Sequence, residues 1–140
     1  MRTSIHVTVP VSPEGARRAR QQLAGLEREI GREILDNLRL MVSELVTNSI
    51  RHAGLAEGAR IEMKVQVGSG RIRVEVSDPG PGFEPRPVTP SLYQTSGWGL
   101  YLVDQLSDRW GVIRGAFTRV WFELDRQPQR RGLTSASARR

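Results

Sequence analysis

The chain contains no cysteine, which excludes disulfides, thiolate chemistry and cysteine-bound zinc. It has only two histidines, His6 and His52, too few for a histidine metal cluster. No apolar run approaches the length of a membrane span, and no signal-peptide pattern opens the chain. Together these absences fit a cytoplasmic protein with no membrane partner. The common nucleotide signatures are missing as well. There is no G-x-x-x-x-G-K-[ST] P-loop, no eukaryotic-type kinase signature set, and no strand leading into a G-x-G-x-x-G turn and helix. Internal repeats are also lacking.

The rest of the composition is ordinary. The 140 residues, 38% apolar and 26% charged, suit one soluble domain with one core. The net charge of +6 invites a nucleic-acid reading, but its location weakens it. Residues 126–140 hold five arginines and no acid, which leaves residues 1–125 near neutral at +1. The expectation is a domain over 1–125 followed by a disordered basic tail over 126–140, too polar to order itself. No base-stacking aromatics accompany those arginines, so a nucleic-acid partner is disfavoured.

The apolar periodicity lays out the elements. Ile5, Val7 and Val9 alternate in a half-buried strand from Thr3 to Val11. Ser12 and Pro13 form a helix start, a hydroxyl cap followed by proline at the first helical position. Ala16, Ala19, Leu23, Leu26 and Ile30 then define one amphipathic helix, which Gly31 ends. A second helix, apolar on more than one side and therefore central, is predicted from about Arg32 to Ala53. Two alternating strands, Ile61 to Val67 and Ile72 to Val76, flank a Gly68-Ser69-Gly70 hairpin loop. Prolines at 79, 81, 85, 87 and 90 make residues 79–97 a loop. A helix from about Trp98 to Ser107 and two closing strands, Trp110 to Arg114 and Arg119 to Leu124, complete the chain. This order predicts an α+β fold, a two-layer sandwich of helices on a mixed, mostly antiparallel sheet.

Three segments carry polar groups that such a fold would place together. The first is S-E-L-V-T-N-S-I-R-H-A, residues 43–53, where Glu44, Asn48 and His52 fall on one helical stripe. A carboxylate there can deprotonate a nucleophile, and a carboxamide oxygen suits magnesium. Taken alone, a solvated polar stripe is the simpler reading. The second is D-P-G-P-G-F, residues 78–83. Asp78 continues the parity of Ile72, Val74 and Val76 and should point inward, where it needs a donor such as an adenine amine or a water. Gly80 and Gly82 would let the backbone approach a flat base, although an ordinary Asp-Pro-Gly turn has the same composition. The third is S-G-W-G-L, residues 96–100, where Gly97 and Gly99 lie at a helix start that could meet phosphates or serve only as a hinge.

In combination these segments resemble the GHKL ATPase superfamily of gyrase, heat-shock chaperones, histidine kinases and MutL. Within it the chain is most similar to the small stand-alone anti-sigma-factor serine/threonine kinases of bacteria. The likeness covers about residues 3–125. S-E-L-V-T-N-S-I-R-H-A matches the N box, D-P-G-P-G-F the first glycine box, and G-W-G-L-Y-L-V the second; D-R-W-G-V and V-W-F-E-L match the closing strands. The resemblance implies a left-handed Bergerat-type nucleotide fold that takes ATP and Mg2+. It implies Glu44 as general base, Asn48 as magnesium ligand and Asp78 as acceptor of the adenine amine. Gly80 and Gly82 would shape the adenine loop. Gly97, Trp98, Gly99 and Leu100 would form the phosphate loop, and residues 84–96 a short lid. The run before the last strand, A-F-T-R at 116–119, departs from the Gly-Lys-Thr-like run often found there. No phosphoacceptor-helix, receiver or transducer domain accompanies the core, so a complete sensor histidine kinase is not expected.

The implied partners are a sigma factor and an anti-sigma antagonist protein that accepts the phosphoryl group. A homodimer is also compatible, since the first strand and first helix carry apolar faces, but an ordinary core would use the same faces. An alternative stays open: a catalytically silent ATP-binding module acting by protein sequestration only.

Overall fold

A computed structural model describes residues 2–52, 58–80 and 98–126, with only the backbone of His52, Trp98 and Gly99. The predicted tail from Gln127 onward and the predicted lid over 84–96 lie outside the described residues.

The elements run β1 (Thr3–Pro10), α1 (Pro13–Leu23), a 3-10 turn (Ala24–Leu26), α2 (Glu27–Ile30), α3 (Arg32–His52), β2 (Arg60–Val67), β3 (Arg71–Asp78), α4 (Trp98–Leu106), β4 (Arg109–Arg114) and β5 (Thr118–Asp125). The strands form one sheet in the order β1-β2-β3-β5-β4. Every pair in it is antiparallel, so the mixed component expected from the sequence is not seen among the described strands. The last strand inserts between β3 and β4, and Val74 faces Phe122 across that central pair.

One face of the sheet is buried. Ile61, Met63, Val65, Ile72, Val74 and Phe122 are fully enclosed beneath Leu35, Leu38, Met41, Val42 and Val46 of α3. Alternation explains this, since every second strand residue is apolar and points to the helical layer. Val120, Phe122 and Leu124 share that face, as their spacing predicts. The result is the expected two-layer α+β sandwich.

The sequence predicts one helix up to Ile30; the structure breaks it into three pieces. The break contains Gly25, whose backbone freedom disfavours an α-helix. Leu23, Leu26 and Ile30 stay buried across it, so the apolar spacing alone could not reveal it. Gly31 ends α2 at a φ of 87°, a left-handed conformation that favours glycine. Ser12 stands at the N-cap position of α1, but its hydroxyl makes no capping bond. Proline at position 13 has no N–H to offer, and the Gly15 N–H is taken by the Ser12 carbonyl at 2.8 Å. Arg126, counted with the tail on composition, is tied to the domain. Its N–H donates to Gly70 O at 3.0 Å, and its guanidinium donates to Gly68 O and Glu29 O.

The opposite sheet face carries an ionic lattice. Glu123 on β5 accepts from Arg109 Nε and Arg73 Nη1, both at 2.9 Å, and its side chain is only 10% exposed. Arg73 also lies over the Trp121 ring, 4.5 Å from its centre. The indole in turn covers Gly111 so closely that a Cβ there would sit 2.8 Å from Trp121 Nε1.

Hydrogen bonding from Arg109 holds both Glu123 and Asp125 below their ordinary carboxylate values. A carboxylate whose folded pKa is lowered contributes stability above its ordinary value and loses it as the pH falls through the lowered one. The thermal midpoint should therefore drop as the pH falls below 4.5, the ordinary value for glutamate. Glu123→Gln should be less stable at neutral pH and show a shallower acid dependence in thermal unfolding across a pH series. An equally steep profile in that variant would remove Glu123 from the cause.

Candidate functional site

Helix α3 (Arg32–His52) carries the first of the three sequence motifs. Leu45 and Val46 are buried in the core, which fixes the rotation of the helix. Glu44 and Asn48 then fall half-buried at the edge of the core, one turn apart. Neither side chain has a hydrogen bond or ion pair among the described residues, and neither has a sealed, unsatisfied polar atom. A carboxylate and a carboxamide left open in this way are available to a ligand. The third member of the stripe, His52, has no described side chain.

Asp78 ends β3 and follows the strand's inward parity, as the sequence predicts. It is 6% exposed. Two donors hold its carboxylate. The Ser49 hydroxyl donates to Oδ2 at 2.6 Å, and the Gly80 N–H donates to Oδ1 at 2.7 Å. Burying a carboxylate without partners is costly, and these two bonds offset that cost. The strand parity predicts a donor from an adenine amine or a water; the protein itself supplies two.

Thr118, the register partner of Asp78 on β5, is also buried, and its hydroxyl donates to Gly80 O at 2.8 Å. Gly80 is thus fixed through its N–H to β3 and through its carbonyl to β5. The departure from a Gly-Lys-Thr-like run therefore still leaves a threonine hydroxyl at the loop.

Helix α4 begins at Trp98 and packs against α3. Trp98, Gly99 and Leu100 make its first turn, where backbone N–H groups lack helical partners. The Leu100 side chain is buried in the core and anchors that turn. Gly82 and Gly97 lie outside the described residues, so their predicted places are not part of the site as described.

Ser49 and Thr118 are not among the residues that the sequence singles out. Ser49 sits one residue beyond the four-residue spacing that singled out Glu44 and Asn48. Thr118 becomes visible only once β3 and β5 are paired. Among the described residues, α3 thus carries an open acid–amide pair, bonds through Ser49 to the Asp78 clasp, and packs against α4. No group of three or more potential metal ligands of the His, Cys, Asp or Glu type occurs among them. A magnesium site would have to rely on an oxygen donor such as the Asn48 carboxamide plus phosphate and water oxygens. Magnesium keeps several waters, so such a sparse donor set fits it.

Residues 9–123 match the histidine kinase-like ATPase domain family. The chain belongs to that family. The match runs from the end of β1 into β5 and so includes α3, Asp78 and α4. The chain is also similar to named proteins. The serine-protein kinase RsbW of Listeria innocua is 28% identical over 122 residues, covering 77% of this chain and 78% of the relative. The serine-protein kinases RsbW of Bacillus subtilis and Bacillus velezensis are each 30% identical over 118 residues, covering 74% of both chains. Membership gives this ATPase domain its general chemistry, the use of ATP. No described helix is long and apolar enough to cross a membrane.

Proposed function

We propose that the protein is an ATP-dependent serine/threonine protein kinase that phosphorylates an anti-sigma antagonist and sequesters a sigma factor in the cytoplasm. The observation that carries the reading is the polar arrangement around α3: Glu44 and Asn48, without partners among the described residues, on the helix that also reaches Asp78 through Ser49. The named relatives, all serine-protein kinases of matching length, support the same direction.

In this reading Asp78 accepts the exocyclic amine of adenine, and Gly80 with Gly82 lets the base lie against the loop. The first turn of α4, with Trp98, Gly99 and Leu100, directs backbone N–H groups at the phosphates, and Gly97 just before it belongs to the same proposed phosphate loop. The Asn48 carboxamide oxygen would hold magnesium, whose positive charge would offset that of the phosphates. Glu44 takes the proton of the antagonist's hydroxyl as its oxygen bonds to the γ-phosphorus. The bond from that phosphorus to the bridging oxygen breaks, and ADP leaves. Residues 1–125 form the catalytic domain in this account, with the arginine-rich segment after it outside the ATPase core.

A pull-down from native cytoplasm, with and without ATP, tests the partner assignment. The expected result is ATP-dependent recovery of a sigma factor and a small antagonist protein, both identified by mass spectrometry. Recovery of neither, with ATP bound to the bait, would refute the assignment.

A further inference from the structure

We propose that Ser49 is a positioning residue that sets the base preference of the pocket through Asp78. The inference rests on the ATP-site reading above. It starts from the geometry of one buried carboxylate. Asp78 Oδ2 takes the Ser49 hydroxyl at 2.6 Å and Oδ1 takes the Gly80 N–H at 2.7 Å. A carboxylate oxygen has room for two donors. One position on each oxygen is therefore used by the protein, and the remaining positions have fixed directions.

The torsion that turns an aspartate carboxylate is broad and soft. Gly80 alone would hold one oxygen and leave the other free to swing. Ser49 removes that freedom because it stands on α3, whose rotation is set by buried Leu45 and Val46. The same helix carries Asn48 in the preceding position, so one rigid element places both the magnesium ligand and the group that orients the base acceptor.

Orientation matters for which base is accepted. A purine with an amino group at carbon 6 offers a donor to the fixed acceptor. A 6-oxo purine presents an oxygen there and is repelled. If the carboxylate can turn, it can meet the N1–H of the 6-oxo base instead, and discrimination weakens. Ser49 thus acts on the ratio of the two affinities, and a residue that only stabilised the fold would leave that ratio unchanged.

Calorimetric titration with ATP and with inosine triphosphate, each in magnesium chloride, reads this ratio. Ser49→Ala should lower the ATP preference by about tenfold, the scale of one hydrogen bond to a charged group. Ser49→Thr keeps the hydroxyl and should retain the preference, whereas Ser49→Val, of the same shape without the hydroxyl, should lose it. The Thr and Val pair serves where the Ala variant fails to fold. A folded Ala or Val variant with the wild-type ratio would overturn the role of Ser49, even if both affinities fell together. Wild-type protein that binds neither nucleotide would instead overturn the ATP-site reading on which this inference stands.

Discussion

Asp78→Asn is expected to abolish detectable ATP binding. The carboxylate now accepts from Gly80 on one oxygen and from Ser49 on the other. A carboxamide has one oxygen and one N–H₂ group. If its oxygen stays on Gly80, the amino group faces Ser49, which must turn its hydroxyl to accept. If the amide flips, two donors meet at Gly80. In the first orientation the acceptor for the adenine amine is replaced by a donor on that side. A mispaired buried polar group costs about 1–3 kcal/mol, so the fold should survive with a thermal midpoint lowered by a few degrees. The loss should therefore appear as at least a hundredfold weaker affinity, roughly 3 kcal/mol, in a protein that remains folded at the assay temperature. Unchanged affinity by calorimetry would refute the assignment of Asp78 to the base.

Glu44→Gln should separate binding from transfer. The Glu44 side chain is half-buried and has no partner among the described residues, so the substitution breaks no bond in the fold. Glutamine keeps the length and shape and loses only the basicity. ATP affinity and thermal midpoint should therefore stay near wild type. Proton abstraction by a placed base is worth about a hundred- to ten-thousandfold in rate, and transfer should fall by that factor. Full transfer activity in the variant would remove Glu44 from the role of base.

Much of this site was legible in the sequence because its parts lie within single elements. Helical spacing aligns Glu44 with Asn48, and strand parity turns Asp78 inward, both as found. The same logic reads the strands, since alternation of apolar residues marks each one to within a residue or two at its ends. What the sequence could not reveal is contact across elements. Ser49 meets Asp78 over a separation of 29 residues, and Thr118 meets Gly80 over 38. Neither pair has a local signature, because each depends on how α3 lies on the sheet and on β5 entering between β3 and β4. The 3-10 turn at Ala24–Leu26 escaped for a different reason: its apolar residues keep a helical spacing of three and four while the backbone tightens.

The acid clasp also changes how the glycine motif is understood. On composition D-P-G-P-G-F could be an ordinary turn, yet Gly80 is bonded at both its N–H and its carbonyl. The start of the loop is thus a fixed part of the sheet. If a base enters here as proposed, it meets an acceptor already in place, which would lower the ordering cost of binding.

The most direct test of the account is phosphoryl transfer from γ-labelled ATP to the anti-sigma antagonist in the presence of magnesium. The account predicts label on a serine or threonine of the antagonist with wild-type protein, and little or none with Glu44→Gln. Wild-type protein that binds ATP but leaves the antagonist unlabelled would contradict it and identify a module that acts by sequestration alone.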